Sequence, residues 1–167
     1  MSKNIKIRRG ANLKLEGAAE RVKADAGVPT SFAIKPTDFH GMTPKMVVKE
    51  GDSVKSGSPI FYDKFNENIK YTSPVSGKIE SIVRGAKRKI LEVRISPDGT
   101  EAHEQFNVSD LSTDIKVKEA IMASGLWPMI KQRPYDVVAD PTKTPKAIVV
   151  SAFDSAPLGA DYDFILH

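Results

Sequence analysis

The residue types that do most enzyme chemistry are scarce in this chain. It has no cysteine, and its three histidines, His40, His103 and His167, lie far apart. The lack of cysteine excludes disulfides, thiolate zinc sites, iron–sulfur clusters and thiol catalysis. The spacing of the histidines excludes a helical zinc motif. Since no nucleophile, base and orienting group can be assembled, the sequence predicts no catalysis and no metal site in this chain.

A run of basic residues is the most concentrated charge in the sequence. Arg84, Lys87, Arg88 and Lys89 lie within six positions, next to Gly85. The run predicts a docking patch for anionic lipid or for the surface of a partner protein, and the alternative is a solvated hairpin turn. Nucleic acid is not a predicted partner, because no aromatic residues are interleaved with the basic ones and no groove-reading helix stands out.

The composition and the distribution of charge indicate how the chain that positions these residues is organised. The chain has 167 residues, 40% hydrophobic and 28% charged, which is enough for a packed core. Residues 1–99 contain 19 basic and 11 acidic side chains, whereas residues 100–167 contain 6 and 10. This asymmetry predicts two units with different surfaces. No uncharged stretch approaches the roughly 20 residues of a membrane span, and no secretory signal opens the sequence.

Short apolar segments separated by turn residues dominate the first unit. Alternation near Ile5–Ile7 and Leu13–Leu15 predicts short strands, and a more regular series follows. The predicted strands of that series are Met46–Val48, Ile60–Tyr62, Ile69–Thr72, Lys78–Val83 and Ile90–Ile95. The spacing is typical of a small barrel or sandwich.

An internal quasi-repeat surrounds one predicted hairpin. Val48–Ile60 and Pro74–Gly85 place glycines and apolar residues at similar spacings. They resemble the two half-motifs of the barrel-sandwich hybrid fold of biotinyl and lipoyl carrier domains, which present a modifiable lysine at the hairpin tip. The midpoint of this hairpin lies at Phe65–Asn66. We therefore predict an exposed tip at Phe65–Asn68, with Lys64 on the first strand and unmodified.

The pattern changes after Gly99. Ser112 or Thr113 is a candidate N-cap and Gly125 a candidate C-terminal residue, which predicts a helix over about 113–124. A second short helix is predicted before Pro134. Lys146–Ser151 is a continuous run rich in β-branched residues, which predicts a buried strand of an α/β unit.

Motifs spread over the whole chain resemble a single family. The motifs are Asp52–Gly57, Phe61–Lys64, Tyr71–Ile79, Ile82–Arg88, Ser124–Pro128, Gln132–Tyr135 and Lys146–Leu158. They resemble the A subunits of the sodium-translocating NADH:quinone reductases. The resemblance implies an α+β fold: a β-rich barrel-sandwich hybrid over residues 1–99, then a helix and the start of a Rossmann-like α/β domain over residues 100–167, truncated before its sheet is complete.

The resemblance also implies a function. The complex oxidises NADH, reduces ubiquinone and pumps sodium ions, using NADH, flavins and quinone. Its A subunit is a soluble protein, peripheral to the cytoplasmic side of the inner cell membrane, and is expected to assist quinone reduction. Its expected partners are the other subunits, with ubiquinone as a further candidate. Trp127 and Phe153 are the candidates to line a quinone pocket. The alternative is that Trp127 packs the helix onto the strand.

Relatives of that family bind a flavin. The C subunit of an electron-transport complex and the FMN-carrying subunit of complex I use a glycine-rich segment that admits cofactor phosphates. The corresponding stretch, Gly125–Lys131, has one glycine, and Trp127 and Pro128 fill the space. We therefore expect this chain to bind no cofactor. Two alternatives stay open: a non-enzymatic scaffold or carrier-like domain of another electron-transfer complex, and an FMN- or NADH-binding subunit.

Overall fold

The computed structural model describes residues 29–150 continuously, and residues 6, 8–10, 16–17, 20, 22–25, 27, 159 and 162–166. The chain divides into two compact units, Val28–Thr144 and Met1–Gly27 with Pro145–His167. The strands predicted near Ile5–Ile7 and Leu13–Leu15 lie outside the described residues. The predicted division into domains 1–99 and 100–167 stays a prediction.

Nine short strands and one full-length helix form the unit Val28–Thr144 as far as the structure describes it. The strands are β1 Phe32–Ile34, β2 Pro44–Met46, β3 Ser53–Val54, β4 Pro59–Asp63, β5 Asn66–Thr72, β6 Gly77–Arg84, β7 Ile90–Pro97, β8 Lys131–Gln132 and β9 Val137–Val138. The helix is α1, Asp114–Ala123, and three 3₁₀ turns cover Pro36–Asp38, Ala86–Arg88 and Trp127–Met129. In the other unit, a short helix α2 covers Tyr162–Leu166.

The strands form two small antiparallel sheets and a separate two-stranded ribbon. One sheet has the order β1-β7-β6-β3, the second has β2-β4-β5, and β8 pairs with β9. Apolar residues of both sheets form one core, in which Ile60, Phe61, Val93 and Ile95 are fully buried and Ile79 almost so. Alternation of buried and exposed residues along β7 explains this arrangement, because successive side chains point to opposite faces.

Most of the predicted strands are confirmed. Ile60–Tyr62, Ile69–Thr72, Lys78–Val83 and Ile90–Ile95 lie within β4, β5, β6 and β7. The first prediction, Met46–Val48, is displaced, since β2 ends at Met46. The two sheets with a shared core agree with the predicted barrel-sandwich architecture.

The predicted helix over 113–124 is confirmed as α1. The hydroxyl of Thr113 accepts a hydrogen bond from the amide of Lys116 at 3.3 Å, which caps the N-terminus. Gly125 follows the C-terminus with φ of +78°, as a C-terminal glycine should. Ile121 and Met122 pack against the core, whereas Ile115 at the start of the helix is exposed.

Three predictions are wrong or only partly right. The β4–β5 hairpin turns at Lys64–Phe65, because Asp63 pairs with Asn66, so Lys64 lies at the tip rather than on the first strand. The part of the predicted strand Lys146–Ser151 that the structure describes, residues 146–150, is not a strand, and Val149 is 90% exposed. A strand requires a hydrogen-bonded neighbour, and the described residues provide none for this segment. The second predicted short helix is only the 3₁₀ turn at Trp127–Met129, which β8 follows.

A hydrogen-bond network around the buried hydroxyl of Ser76 closes the end of the sheet opposite the β6–β7 turn. Ser76 is buried and donates a hydrogen bond to the carboxylate of Asp98 at 2.8 Å. The amide and hydroxyl of Thr100 bind the same oxygen. Bonds from the Thr100 amide above all, and then from Ser76, hold the pKa of Asp98 below its usual range. This network fixes the turn that follows β7.

Candidate docking surface

The basic run identified from the sequence forms the turn between β6 and β7. Arg84 is the last residue of β6, and the 3₁₀ turn Ala86–Arg88 reverses the chain. Arg84, Lys87, Arg88 and Lys89 are all exposed. Lys87 and Arg88 have φ angles of +54° and +61°, which residues with a Cβ seldom adopt. Such conformations are unfavourable by about 1 kcal/mol or more each. The turn therefore brings several positive charges together at a cost to local stability.

A cleft of about 510 Å³, which we call the basic cleft, opens between this turn and the loop that leads into β2. Its floor is apolar, and its rim carries three cationic side chains and an imidazole. The apolar lining residues include Pro36, Phe39, Met42, Pro44 and Ile90, and the polar ones include His40, Arg84, Arg88 and Lys89. The residues lining the cleft include no carboxylate. The arrangement therefore suits an anionic group attached to an apolar one.

The floor of the cleft is rigidly supported by stacked rings. Phe39 meets Tyr71 edge-on at 4.7 Å, and Tyr71 stacks on Phe61 at 4.9 Å, measured between ring centroids. Burial, and to a smaller extent the charge of Asp63, raises the pKa of Tyr71. The ammonium of Lys131 lies 5.2 Å from the Phe39 ring centroid, which adds a cation beside the floor.

The tip of the β4–β5 hairpin lies beside the same loop. The amide of Lys64 donates to the carbonyl of Thr43 at 2.8 Å. The carboxylate of Asp63 accepts from the amides of Thr43 and Phe65, which closes the turn. Thr43 also lines the basic cleft, so the tip and the cleft are neighbours.

The tip carries the exposed cation Lys64 and an exposed ring, and two further lysines lie on the adjoining strands. The Phe65 side chain is 78% exposed. On the adjoining strands, the ammonium groups of Lys45 and Lys70 lie 5.5 and 4.9 Å from the Tyr62 ring centroid. Interaction with the Tyr62 side chain is the main cause of the raised pKa of Lys45.

A third turn, between β8 and β9, reaches the same loop. Asp136 lies 3.9 Å from both the imidazole of His40 and the guanidinium of Arg133. A smaller cleft of about 250 Å³ separates this ribbon from the β4–β5 hairpin, with Asp63, Met42 and Val137 among its lining residues. We call the surface formed by the basic cleft and these two turns the basic end.

The structure places the predicted site residues in different environments. Arg84, Arg88 and Lys89 line the basic cleft together, whereas Lys87 belongs to the same turn without lining it. Trp127 is 7% exposed in the core, and its indole N–H donates to the carbonyl of Ala139 at 2.7 Å. Phe153 lies outside the described residues, so its pairing with Trp127 stays a prediction.

Sequence reasoning missed the other wall of the cleft. Phe39, His40 and Met42 follow the 3₁₀ turn Pro36–Asp38, and no periodic pattern connects them with Arg84 forty residues later. A local signal existed for the hairpin tip. Aspartate at the first position of a turn, as Asp63 is here, is a common turn former because its carboxylate accepts backbone amides.

Gly125–Lys131 is the stretch that corresponds to the flavin-binding segment of the relatives. Several of its backbone amides are already hydrogen-bonded to nearby carbonyl groups. The amides of Leu126, Met129 and Ile130 donate to carbonyls of Ile121, Leu126 and Trp127. Pro128 has no amide hydrogen, and it is buried with Trp127. A phosphate cradle needs several free amides converging on one point, so this stretch does not fit one.

Comparison with known proteins decides the family. Residues 5–98 match the family model of the NqrA N-terminal barrel-sandwich hybrid domain, and residues 112–167 match that of the NqrA second alpha/beta domain. The chain belongs to the NqrA family. The barrel-sandwich hybrid followed by an α/β region, predicted from the sequence, is thereby confirmed.

Curated relatives agree with the NqrA assignment. The chain is 39% identical over 166 residues to the A subunit of the Na(+)-translocating NADH-quinone reductase of Pseudomonas aeruginosa strain UCBPP-PA14, an alignment that covers 97% of this chain and 37% of that protein. It is 38% identical over 167 residues to the same subunit of Pasteurella multocida, and 40% identical over 162 residues to that of Neisseria meningitidis. These alignments cover 98% and 94% of this chain, and 37% and 36% of the two relatives. The chain thus spans little more than a third of the length of its NqrA relatives.

Metal-ligand clusters and membrane-spanning helices are both absent from the part of the chain that the structure describes. Among the described residues, no group of three or more histidine, aspartate or glutamate side chains is arranged to hold a metal ion. Within the same residues, no helix has the length and apolar character needed to cross a bilayer.

Proposed function

We propose that this NqrA chain is the part of a peripheral subunit that docks onto its partners in a sodium-translocating NADH:quinone reductase. The complex oxidises NADH, reduces ubiquinone and pumps sodium ions, and the subunit takes part in the quinone-reduction step. The relatives' names support the assignment to the complex. The partners are the other subunits, and the place of action is the cytoplasmic side of the membrane.

One observation supports docking as the means. The basic cleft presents Arg84, Arg88 and Lys89 around an apolar floor, and its lining residues include no carboxylate. Cations at an interface speed association with an anionic surface and orient it, while the buried apolar centre supplies affinity. We propose that the flavins and NADH of the complex are held by other chains, and that Trp127 and Phe153 contribute to a quinone pocket.

The corrected hairpin tip favours one alternative function more than the sequence did. Lys64 is exposed at the tip of the hairpin between the two half-motifs, where biotinyl and lipoyl carriers present their modified lysine. Asp63 matches the aspartate that precedes the lysine in the Asp-Lys-Ala context of such carriers, whereas Phe65 differs from the alanine or methionine that follows the lysine in them. Docking remains the preferred proposal, because it uses the whole basic end rather than one side chain.

Salt dependence tests the docking proposal. We expect the full-length subunit to bind its partner subunits more weakly as KCl rises from about 0.05 to 0.5 M, because screening weakens the attraction between exposed charges. We also expect the 167-residue chain alone to show no NADH oxidation with a quinone acceptor. Binding that does not change with salt, or turnover by the chain alone, would contradict the proposal.

A further inference from the structure

Two aromatic rings at the basic end, Phe65 and Tyr135, are largely exposed. Phe65 is the second residue of the turn between β4 and β5, and 78% of its surface is exposed. Tyr135, in the turn between β8 and β9, is 73% exposed. Neither ring stacks on another ring or a cation among the described residues. Two large rings that are exposed close to each other, without ring or cation contacts, indicate a role outside the fold.

The two rings belong to neighbouring turns. Asp63, which directly precedes the Lys64–Phe65 turn, and Val137, which follows the Tyr135 turn, line the same small cleft. Each turn is also tied to the loop 40–44, one through the Lys64 amide and Thr43 and the other through Asp136 and His40. The rings therefore flank one short loop at one end of the unit.

Cations outnumber carboxylates around the rings, although Asp38 and Glu67 are also exposed in the neighbouring segments. Lys64, Arg84, Arg88, Lys89 and Arg133 are exposed around this loop. The carboxylate of Asp63 binds two backbone amides, and that of Asp136 lies between His40 and Arg133. The net charge offered to a partner is therefore positive. Aromatic side chains among lysines and arginines are typical of surfaces that rest in the headgroup region of a bilayer.

We infer that the basic end contacts an anionic membrane surface, with the rings of Phe65 and Tyr135 in the headgroup region and the surrounding cations facing lipid phosphates. This contact goes beyond docking to partner subunits, since it requires none of them. Two projecting tips suit a soft lipid surface, into which each ring enters separately. A folded acidic protein would need a matching pocket for each ring. The contact is compatible with docking to other subunits, because a peripheral protein of a membrane complex has lipid next to its partners.

Vesicle cosedimentation of the 167-residue chain tests this inference. We expect binding to vesicles of phosphatidylglycerol mixed with phosphatidylcholine, and little binding to phosphatidylcholine alone. Replacing both rings, Phe65→Ala with Tyr135→Ala, should weaken binding about tenfold, because apolar surface no longer leaves water. Arg84→Glu with Arg88→Glu should weaken it more strongly, since each cation near an anionic surface contributes about fivefold.

Matched controls separate lipid contact from unfolding and from general charge effects. Lys55→Glu with Lys78→Glu makes the same change in net charge as the arginine variant, but at the opposite end of β6. Val108→Ala removes exposed apolar surface from another segment. Neither control should change binding to the vesicles. Circular dichroism verifies folding of every variant. The inference is overturned if the chain does not bind anionic vesicles, or if the variant that lacks both rings binds them as strongly as the unaltered chain. It is equally overturned if polyglutamate competes fully and the rings make no difference, which would assign the surface to an acidic protein.

Discussion

Replacing Gly77 by alanine should destabilise the fold by about 3 kcal/mol or more, or prevent folding altogether. Gly77 begins β6, a strand that pairs with β3 on one side and β7 on the other. A Cβ atom there would overlap the carbonyl oxygen of Ser96 and lie 2.9 Å from the Cα of Pro97. Both are backbone atoms, so relief requires the two strands to separate.

Gly85 supplies the matched control for this prediction. It belongs to the same half-motif, but an added Cβ would meet side-chain atoms of Leu91 at 3.1 Å or more, and these can rotate away. Gly85→Ala should therefore cost less than about 1 kcal/mol. Urea unfolding of both variants measures the difference in the free energy of unfolding. Equal stability of the two would show that the approach of β6 to β7 is looser than described.

Phe61→Ala should lower the free energy of unfolding by about 3–5 kcal/mol. Phe61 is fully buried in β4 and stacks on Tyr71, which in turn supports Phe39 in the floor of the basic cleft. Removal of the ring leaves a cavity between the two sheets and loosens that support. The loss is measured by denaturant unfolding.

Phe65 is the control for Phe61, because it is the same residue type four positions along the chain. With 78% of its surface exposed, Phe65→Ala should change stability by no more than about 0.5 kcal/mol. This variant is also one half of the lipid-binding test, so its stability must be known. If Phe65→Ala were as damaging as Phe61→Ala, the ring would have a structural role and the membrane inference would lose its basis.

Local sequence patterns predicted the elements that depend on neighbouring residues. Alternation and turn residues located β4 to β7, and a cap and a C-terminal glycine located α1. The predicted position of the hairpin tip was wrong because it was taken as the midpoint of the segment, and that midpoint carries no information on how β4 pairs with β5. The register shift near Tyr62 and the carboxylate of Asp63 move the turn to Lys64–Phe65.

Features that depend on distant residues were not predictable in the same way. The β-branched run at 146–150 predicts a strand, but a strand forms only where another offers hydrogen bonds, and sequence alone does not reveal that neighbour. The basic run was visible as charge, whereas its cleft depends on Phe39 and Met42 from a loop forty residues earlier. The aromatic tips became noticeable only once exposure and turn position were known.

The central claim, that this NqrA chain acts by docking through its basic end, has one direct test. The full-length subunit with Arg84→Glu and Arg88→Glu is expressed with its partners, and the recovery of the other subunits with it from native membranes is measured. The matched variant has Lys55→Glu and Lys78→Glu. We predict roughly tenfold lower recovery for the first, since charge reversal replaces attraction by repulsion, and unchanged recovery for the second. Equal recovery with both variants would contradict the claim.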